Sequence, residues 1–158
     1  MQSPNNQNST FDTAVDSYSD MIVRIAFGYT KNRSDSEDIA QEVFLALYCH
    51  KGILSAEHLK AWLIRVTINK SKNFVKRSRR RLIVPYEDYE YRLTGTDCEV
   101  IQELDRLKAK DRDVLYLFYY EGYSAGEIAY ILGKKENAVF ASLSRARGRL
   151  KNLLKENI

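Results

Sequence analysis

Proline occurs only twice in this 158-residue chain, at Pro4 and Pro85. A proline inside a helix removes a backbone hydrogen bond and clashes with the preceding turn. The long proline-free stretches are therefore open to unbroken helices. Helix starts are marked as well. Three S/T-x-x-E capping boxes, Ser34 to Glu37, Thr96 to Glu99 and Ser124 to Glu127, each set a hydroxyl on free backbone N–H groups and a carboxylate near the helix's positive end. Ser55 offers one more cap. Strand patterns are weak.

Apolar residues recur at helical spacing. They predict a first helix over 11–30 with Val15, Ile22, Ile25, Ala26 and Tyr29 inward, and a second over 35–49 through Ile39, Val43, Ala46 and Leu47. A third is predicted over 57–79 through Leu59, Trp62, Leu63, Val66 and Phe74. Three amphipathic helices make one small bundle, 11–81, behind a disordered tail at 1–10. Residues 82–96 break the pattern with Pro85, Gly95 and a mixture of tyrosines and acids, and read as a flexible linker. A second helical domain is expected over 97–158, with helices at 97–109, 111–121, 124–132 and 135–155. The expected fold class is all-α: a three-helix bundle, then a four-helix helix-turn-helix domain.

The formal net charge of +4 matters less than its distribution. Acidic residues outnumber basic ones over 11–64. Residues 65–81 then hold eight basic side chains and no acidic one. The next stretch is acidic through Glu87, Asp88, Glu90, Asp97, Glu99 and Glu103, and the last is basic through Arg145, Arg147, Arg149, Lys151 and Lys155. Two basic surfaces around an acidic connector suggest a bipartite contact with a polyanion.

Other classes are disfavoured. No apolar run approaches the roughly 18 residues that span a bilayer, and the polar first ten residues lack the apolar core of a signal peptide. The expectation is a cytoplasmic protein with no membrane contact. Cys49 and Cys98 lie far apart and read as free thiols. His50 and His58 stand near Cys49 without the remaining ligands of a four-ligand cluster, so no metal or other cofactor is expected. No nucleophile–base constellation stands out, and an enzyme is not expected.

Residues 122–150, GYSAGEIAYILGKKENAVFASLSRARGRL, hold a helix capped at Ser124 that packs through Ile128, Ala129 and Leu132. Gly133 supplies a left-handed C-cap, and a second helix packs through Val139 and Leu143. This is the spacing of a DNA-binding helix-turn-helix. A plain helical hairpin has the same pattern, but the basic stretch at 145–155 favours DNA, since phosphate neutralisation supplies much of the affinity.

Residues 65–81, RVTINKSKNFVKRSRRR, interleave cations with Thr67, Asn69, Asn73 and Phe74. Cations can hold a backbone while amides read base edges. Apolar anchoring is too thin for a membrane-surface helix. Within 38–48, DIAQEVFLALY, one face is core, whereas Asp38, Gln41, Glu42 and Leu45 fall off it. That strip suits either a docked partner helix or a solvated acidic face.

Together these stretches resemble bacterial sigma factors of the extracytoplasmic-function group of the sigma-70 family. The likeness spans roughly 11–154. DIAQEVFLALY is similar to the family's D-x-x-Q-E-x-F motif, and 61–80, AWLIRVTINKSKNFVKRSRR, to its W-L-x-x-I-A-x-N segment. The helix-turn-helix followed by SRARGRL is the third piece. The resemblance implies that Asp38, Gln41, Glu42 and Leu45 bind the beta-prime clamp helices of RNA polymerase core, and that the second domain meets the beta flap. It implies that Trp62, Arg65, Asn69, Lys72, Asn73, Lys76, Arg77, Arg79 and Arg80 face the promoter's minus-ten element. The residue matching Asn69 contacts a flipped base there, and the loop at 51–55 helps select it.

The resemblance assigns minus-thirty-five recognition to Ser124, Lys134, Lys135, Asn137, Phe140, Ser144, Arg145 and Arg147. The implied function is promoter-directed initiation by a sigma factor, with core polymerase and promoter DNA as partners and an anti-sigma factor as a further candidate. The competing readings are a helix-turn-helix regulator that acts without polymerase and an adaptor that occupies polymerase without directing it. The family's recognition helix usually reads T-V-K-S-R-L-x-R-A-R. Here 138–147 reads AVFASLSRAR, with Phe140 and Ser142 where basic residues are usual. Lys108 replaces the proline usual before the second domain's core helix.

Overall fold

The computed structural model describes residues 4–50, 52, 55–80 and 106–156. The chain divides into two compact units, Met1–Tyr89 and Glu90–Ile158. The described residues form helices and turns throughout, as the all-α expectation required. The expected linker, the Thr96–Glu99 box and nearly all of the helix at 97–109 lie outside the described residues.

In the first unit, α1 (Pro4–Thr30) packs on α2 (Arg33–Cys49) and α3 (Ala56–Arg80), and α2 packs on α3. Helix α1 begins at Pro4 rather than at 11, within the stretch expected to be a tail. Proline is favoured in a first turn, where its missing N–H would have no partner. The helix buries Ala14, Met21, Ile22, Ile25 and Ala26, while Val15 and Tyr29 are half-buried.

The corner between α1 and α2 is short and fully wired. Lys31 takes the left-handed conformation (φ 56°) and donates its N–H to the Phe27 carbonyl at 2.9 Å. Asn32 then caps α2, its side chain accepting from the Asp35 N–H at 3.0 Å. The buried Ser36 hydroxyl donates to the Asn32 carbonyl at 2.7 Å. The cap expected at Ser34 is thus two residues late: asparagine is an equally strong cap, and Glu37 pairs with Arg33 at 2.9 Å instead. Ser55 does cap α3, accepting from the His58 N–H at 3.4 Å.

Helix α3 buries Leu63, Ile64, Thr67, Ile68 and Ser71. Of the five side chains expected inward only Leu63 is buried; Leu59, Trp62, Val66 and Phe74 are half-buried. The stripe is rotated because two hydroxyl residues occupy it. Thr67 satisfies its hydroxyl by donating to the Leu63 carbonyl at 2.6 Å, and Ser71 is small enough to be buried there.

In the second unit, α4 (Ala109–Leu115) widens into a π-helical turn over Tyr116–Tyr120, where a continuous α-helix over 111–121 was expected. The Glu121 N–H closes that turn on the Tyr116 carbonyl at 3.1 Å. Lys108, the N-cap, has φ −61°, near the angle a proline ring would fix, so the backbone keeps the shape without the ring. Helix α5 (Ala125–Leu132) has both halves of its Ser124–Glu127 capping box. Gly133 ends it with φ 64°, and the Lys134 N–H returns to the Ala129 carbonyl at 2.8 Å. Helix α6 (Glu136–Glu156) follows. Helices α4 and α5 both pack on α6, around Val114, Leu115, Leu117, Ile128, Ile131, Val139, Leu143 and Ala146.

Candidate functional site

Three exposed helix faces carry the residues singled out by the sequence. On α2, Asp38, Gln41, Glu42 and Leu45 are all exposed and recur at three- and four-residue spacing, so they form one stripe. Tyr48 extends it; it is 68% exposed and Leu45 63%. Sequence reasoning left Tyr48 out, although it follows Leu45 by three residues. The Phe11 ring of α1 braces this end, edge-on to Tyr48 at 5.7 Å and to Phe44 at 6.3 Å. Glu42 lies 3.5 Å from the Lys70 ammonium of α3. Both groups are partly solvated, so the pair adds little stability. It does join the acidic stripe to the basic helix.

On α3, Arg65, Asn69, Lys72, Asn73, Lys76 and Arg77 are exposed and Trp62 is half-buried. At 3.6 residues per turn these positions cover roughly 140° of the helix, opposite the buried stripe. Arg79 and Arg80 belong to the last turn; their side chains lie outside the described residues. No acidic residue falls on α3 after Glu57, so the face is uniformly cationic with two amides set into it.

At the head of this face the exposed His50 ring lies 5.0 Å from Trp62, tilted by 52°. Gly52 makes room for it: a Cβ at that position would stand 2.6 Å from the imidazole Nε2. His50 thus lies between Gly52 and Trp62 at the start of the expected base-selecting loop, of which residues 51, 53 and 54 lie outside the described residues. Sequence reasoning missed His50, and its place one residue before that loop was the available signal.

The third face is the helix-turn-helix of α5 and α6. Lys135, Asn137, Phe140, Ser144, Arg145 and Arg147 are exposed, Lys134 is half-buried, and Ser124 is engaged in its capping box. The basic stretch does not form one continuous surface. The Arg147 Nε donates to the Tyr119 hydroxyl at 2.6 Å, with its guanidinium 5.4 Å from both the Phe118 and Tyr119 ring centroids. Arg149 is ion-paired with Asp111, which is fully buried. Arg145 donates to the Ser142 hydroxyl at 3.3 Å. Ser142 is only 4% exposed, so its position faces the core and a base there would not reach solvent directly.

Among the described residues, no group of three His, Cys, Asp or Glu side chains gathers as metal ligands would. No described helix is long and apolar enough to cross a membrane.

Known proteins resemble this chain in sequence and in fold. Residues 14–81 match the family model for Sigma-70 region 2, and residues 99–150 that for Sigma-70, region 4. RNA polymerase sigma factor SigV of Bacillus subtilis is 26% identical over 140 residues, which is 85% of this chain and 84% of that protein. ECF RNA polymerase sigma factor SigE of Mycolicibacterium smegmatis is 27% identical over 158 residues, covering 92% of this chain and 62% of the longer relative. The fold matches that of the sigma factor RpoE, solved in complex with the anti-sigma factor NepR from Bartonella quintana. The TM-score is 0.78 at 21% identity, over 92% of this chain and 97% of that one. With regions 2 and 4 present in order and falling one in each compact unit, the chain belongs to the sigma-70 family: it is a sigma factor of the extracytoplasmic-function group, which directs RNA polymerase to promoters.

Proposed function

We propose that the three faces divide the work of initiation. The α2 stripe of Asp38, Gln41, Glu42, Leu45 and Tyr48 docks the beta-prime clamp helices of core polymerase. Its two exposed apolar side chains supply area to desolvate, and its carboxylates select a basic partner. The α3 face holds the melted non-template strand of the minus-ten element. Unstacking a base costs a few kcal/mol; contacts to Asn69 and Trp62, with phosphates held by Arg65, Lys72, Lys76 and Arg77, offset that. The α5–α6 helix-turn-helix reads the minus-thirty-five duplex, and the second unit meets the beta flap. The work is cytoplasmic. An anti-sigma factor competing for the α2 stripe is consistent with the NepR complex of the Bartonella protein.

The observation that carries this reading is the α3 face: cationic, set with Asn69 and Asn73, and exposed opposite the buried stripe. The decisive experiment is equilibrium binding of the full chain to polymerase core by fluorescence anisotropy, with Glu42→Lys as the variant. Tight binding lost in a folded Glu42→Lys protein supports the docking face. Equal affinity of the two proteins removes that assignment. Asn69→Ala separates the next step: it should lower open-complex yield on a cognate promoter while leaving core binding intact.

A further inference from the structure

The centre of the exposed face of α6 carries no charge. Asn137, Phe140, Ala141, Ser144 and Gly148 all lie exposed along it, while Val139, Ser142, Leu143 and Ala146 face the core. Lys134 and Lys135 stand in the turn before and Arg145 on one flank; Arg147, on the other flank, is held by Tyr119, and Lys151 follows beyond Gly148. Phe140 is 54% exposed in the second turn of the helix, beside the small Asn137 and Ser144 and one turn after the exposed Glu136. A large ring left in water at the centre of a DNA-facing helix is apolar surface awaiting cover.

Duplex DNA offers one apolar group in the major groove, the thymine C5 methyl. Recognition helices bring the side chains of their first turns to base edges, while flanking cations take phosphates. An uncharged centre with Lys134, Lys135 and Arg145 beside it has that layout. Of the two positions where basic residues are usual, Ser142 is turned to the core, so position 140 is the exposed one at which the charge is missing.

We propose that Phe140 is a specificity-determining residue that reads a thymine methyl group in the minus-thirty-five duplex, an apolar contact at a position where a basic residue is usual. This rests on the second unit acting as the minus-thirty-five reader.

The test uses holoenzyme assembled from the full chain and polymerase core. Duplexes randomised across the minus-thirty-five region are selected with wild type, Phe140→Ala and Phe140→Lys. Wild type should enrich thymine at one position, and both variants should lose that preference. Replacing that thymine with deoxyuridine removes only the methyl group. It should weaken wild-type binding about fourfold, the equivalent of one buried carbon, and leave Phe140→Ala unchanged. Phe140→Lys should steepen the dependence of log affinity on log salt by about one unit.

Selection with no position that depends on residue 140 would overturn the proposal. So would deoxyuridine weakening Phe140→Ala as much as wild type, or a Phe140→Ala defect confined to core binding, which would make the ring a protein contact. A holoenzyme that shows no sequence selection upstream of the minus-ten element removes the minus-thirty-five reading itself, and this contact with it. Phe140→Leu guards against a folding artefact, since it keeps an apolar side chain and should retain part of the thymine preference.

Discussion

The Arg147 guanidinium on α6 donates to the Tyr119 hydroxyl across 2.6 Å while lying 5.4 Å from the centre of the same ring. One cation thus ties the recognition helix to the π-helical turn after α4. Exposed cation–π contacts are worth about 0.5–1 kcal/mol. Arg147→Ala should therefore lower the unfolding free energy by about 1 kcal/mol, measured by urea denaturation. It should leave the salt dependence of promoter binding nearly unchanged, because the side chain is engaged within the protein. A salt slope reduced by a full unit would instead place Arg147 on a phosphate.

Asp111 and Arg149 join the same helices in an unequal pair, since the carboxylate is fully buried and the Arg149 side chain is 46% exposed. Removing one partner of a buried pair costs most when the group left behind cannot reach water. Arg149→Ala strands the carboxylate and should cost about 3 kcal/mol. Asp111→Ala leaves a guanidinium that can swing into solvent and should cost less. Urea midpoints of the two variants decide it; the reverse order would mean the carboxylate finds another partner.

The only tryptophan of the chain is the one His50 lies against, which makes its emission a local reporter. In Gly52→Ala the new methyl would occupy the space of the imidazole Nε2. The imidazole is the far end of a flexible side chain, so the ring should move and the fold should hold. We expect Gly52→Ala and His50→Ala to shift Trp62 emission alike, with stability changed by less than about 0.5 kcal/mol. Emission identical to wild type in both variants would mean that the ring contact is not populated in solution.

Tyr48 ends the α2 stripe with the largest exposed apolar surface on that helix. If the stripe docks polymerase, Tyr48→Ala should weaken core binding at least tenfold, the scale of an aromatic anchor. Phe11→Ala should weaken it less, by loosening the brace. Ser34→Ala, exposed in the first turn of α2, should bind as wild type does. Equal affinities across all three would end the stripe before Tyr48.

Much of this was legible in the chain. Two prolines and recurring apolar residues predicted the helices, and the Ser124 box and Gly133 predicted the turn between α5 and α6. The errors have physical causes. Thr67 and Ser71 are buried on α3 although polar, because the threonine hydroxyl returns to its own backbone and serine is small; a hydrophobic pattern does not register either. Asn32 caps α2 because a left-handed Lys31 positions it, and that backbone conformation has no composition signature. The fates of Arg147 and Arg149 depend on Tyr119 and Asp111, partners 28 and 38 residues away, which local spacing cannot reveal. The exposure of Asp38, Gln41, Glu42 and Leu45 on α2 and of Asn69 on α3, by contrast, follows directly from helical periodicity.

The Lys31–Asn32 corner has a consequence for how the protein is made. It joins α1 to α2 with only those two residues between helices, and α3 packs against both. Contacts among successive helices are close in sequence, the regime of fast folding, and domains made first on the ribosome generally fold first. The α2 stripe can therefore be complete while α6 is still being translated, so that a nascent chain presents the face proposed to dock polymerase before it has the helix proposed to choose an upstream DNA sequence.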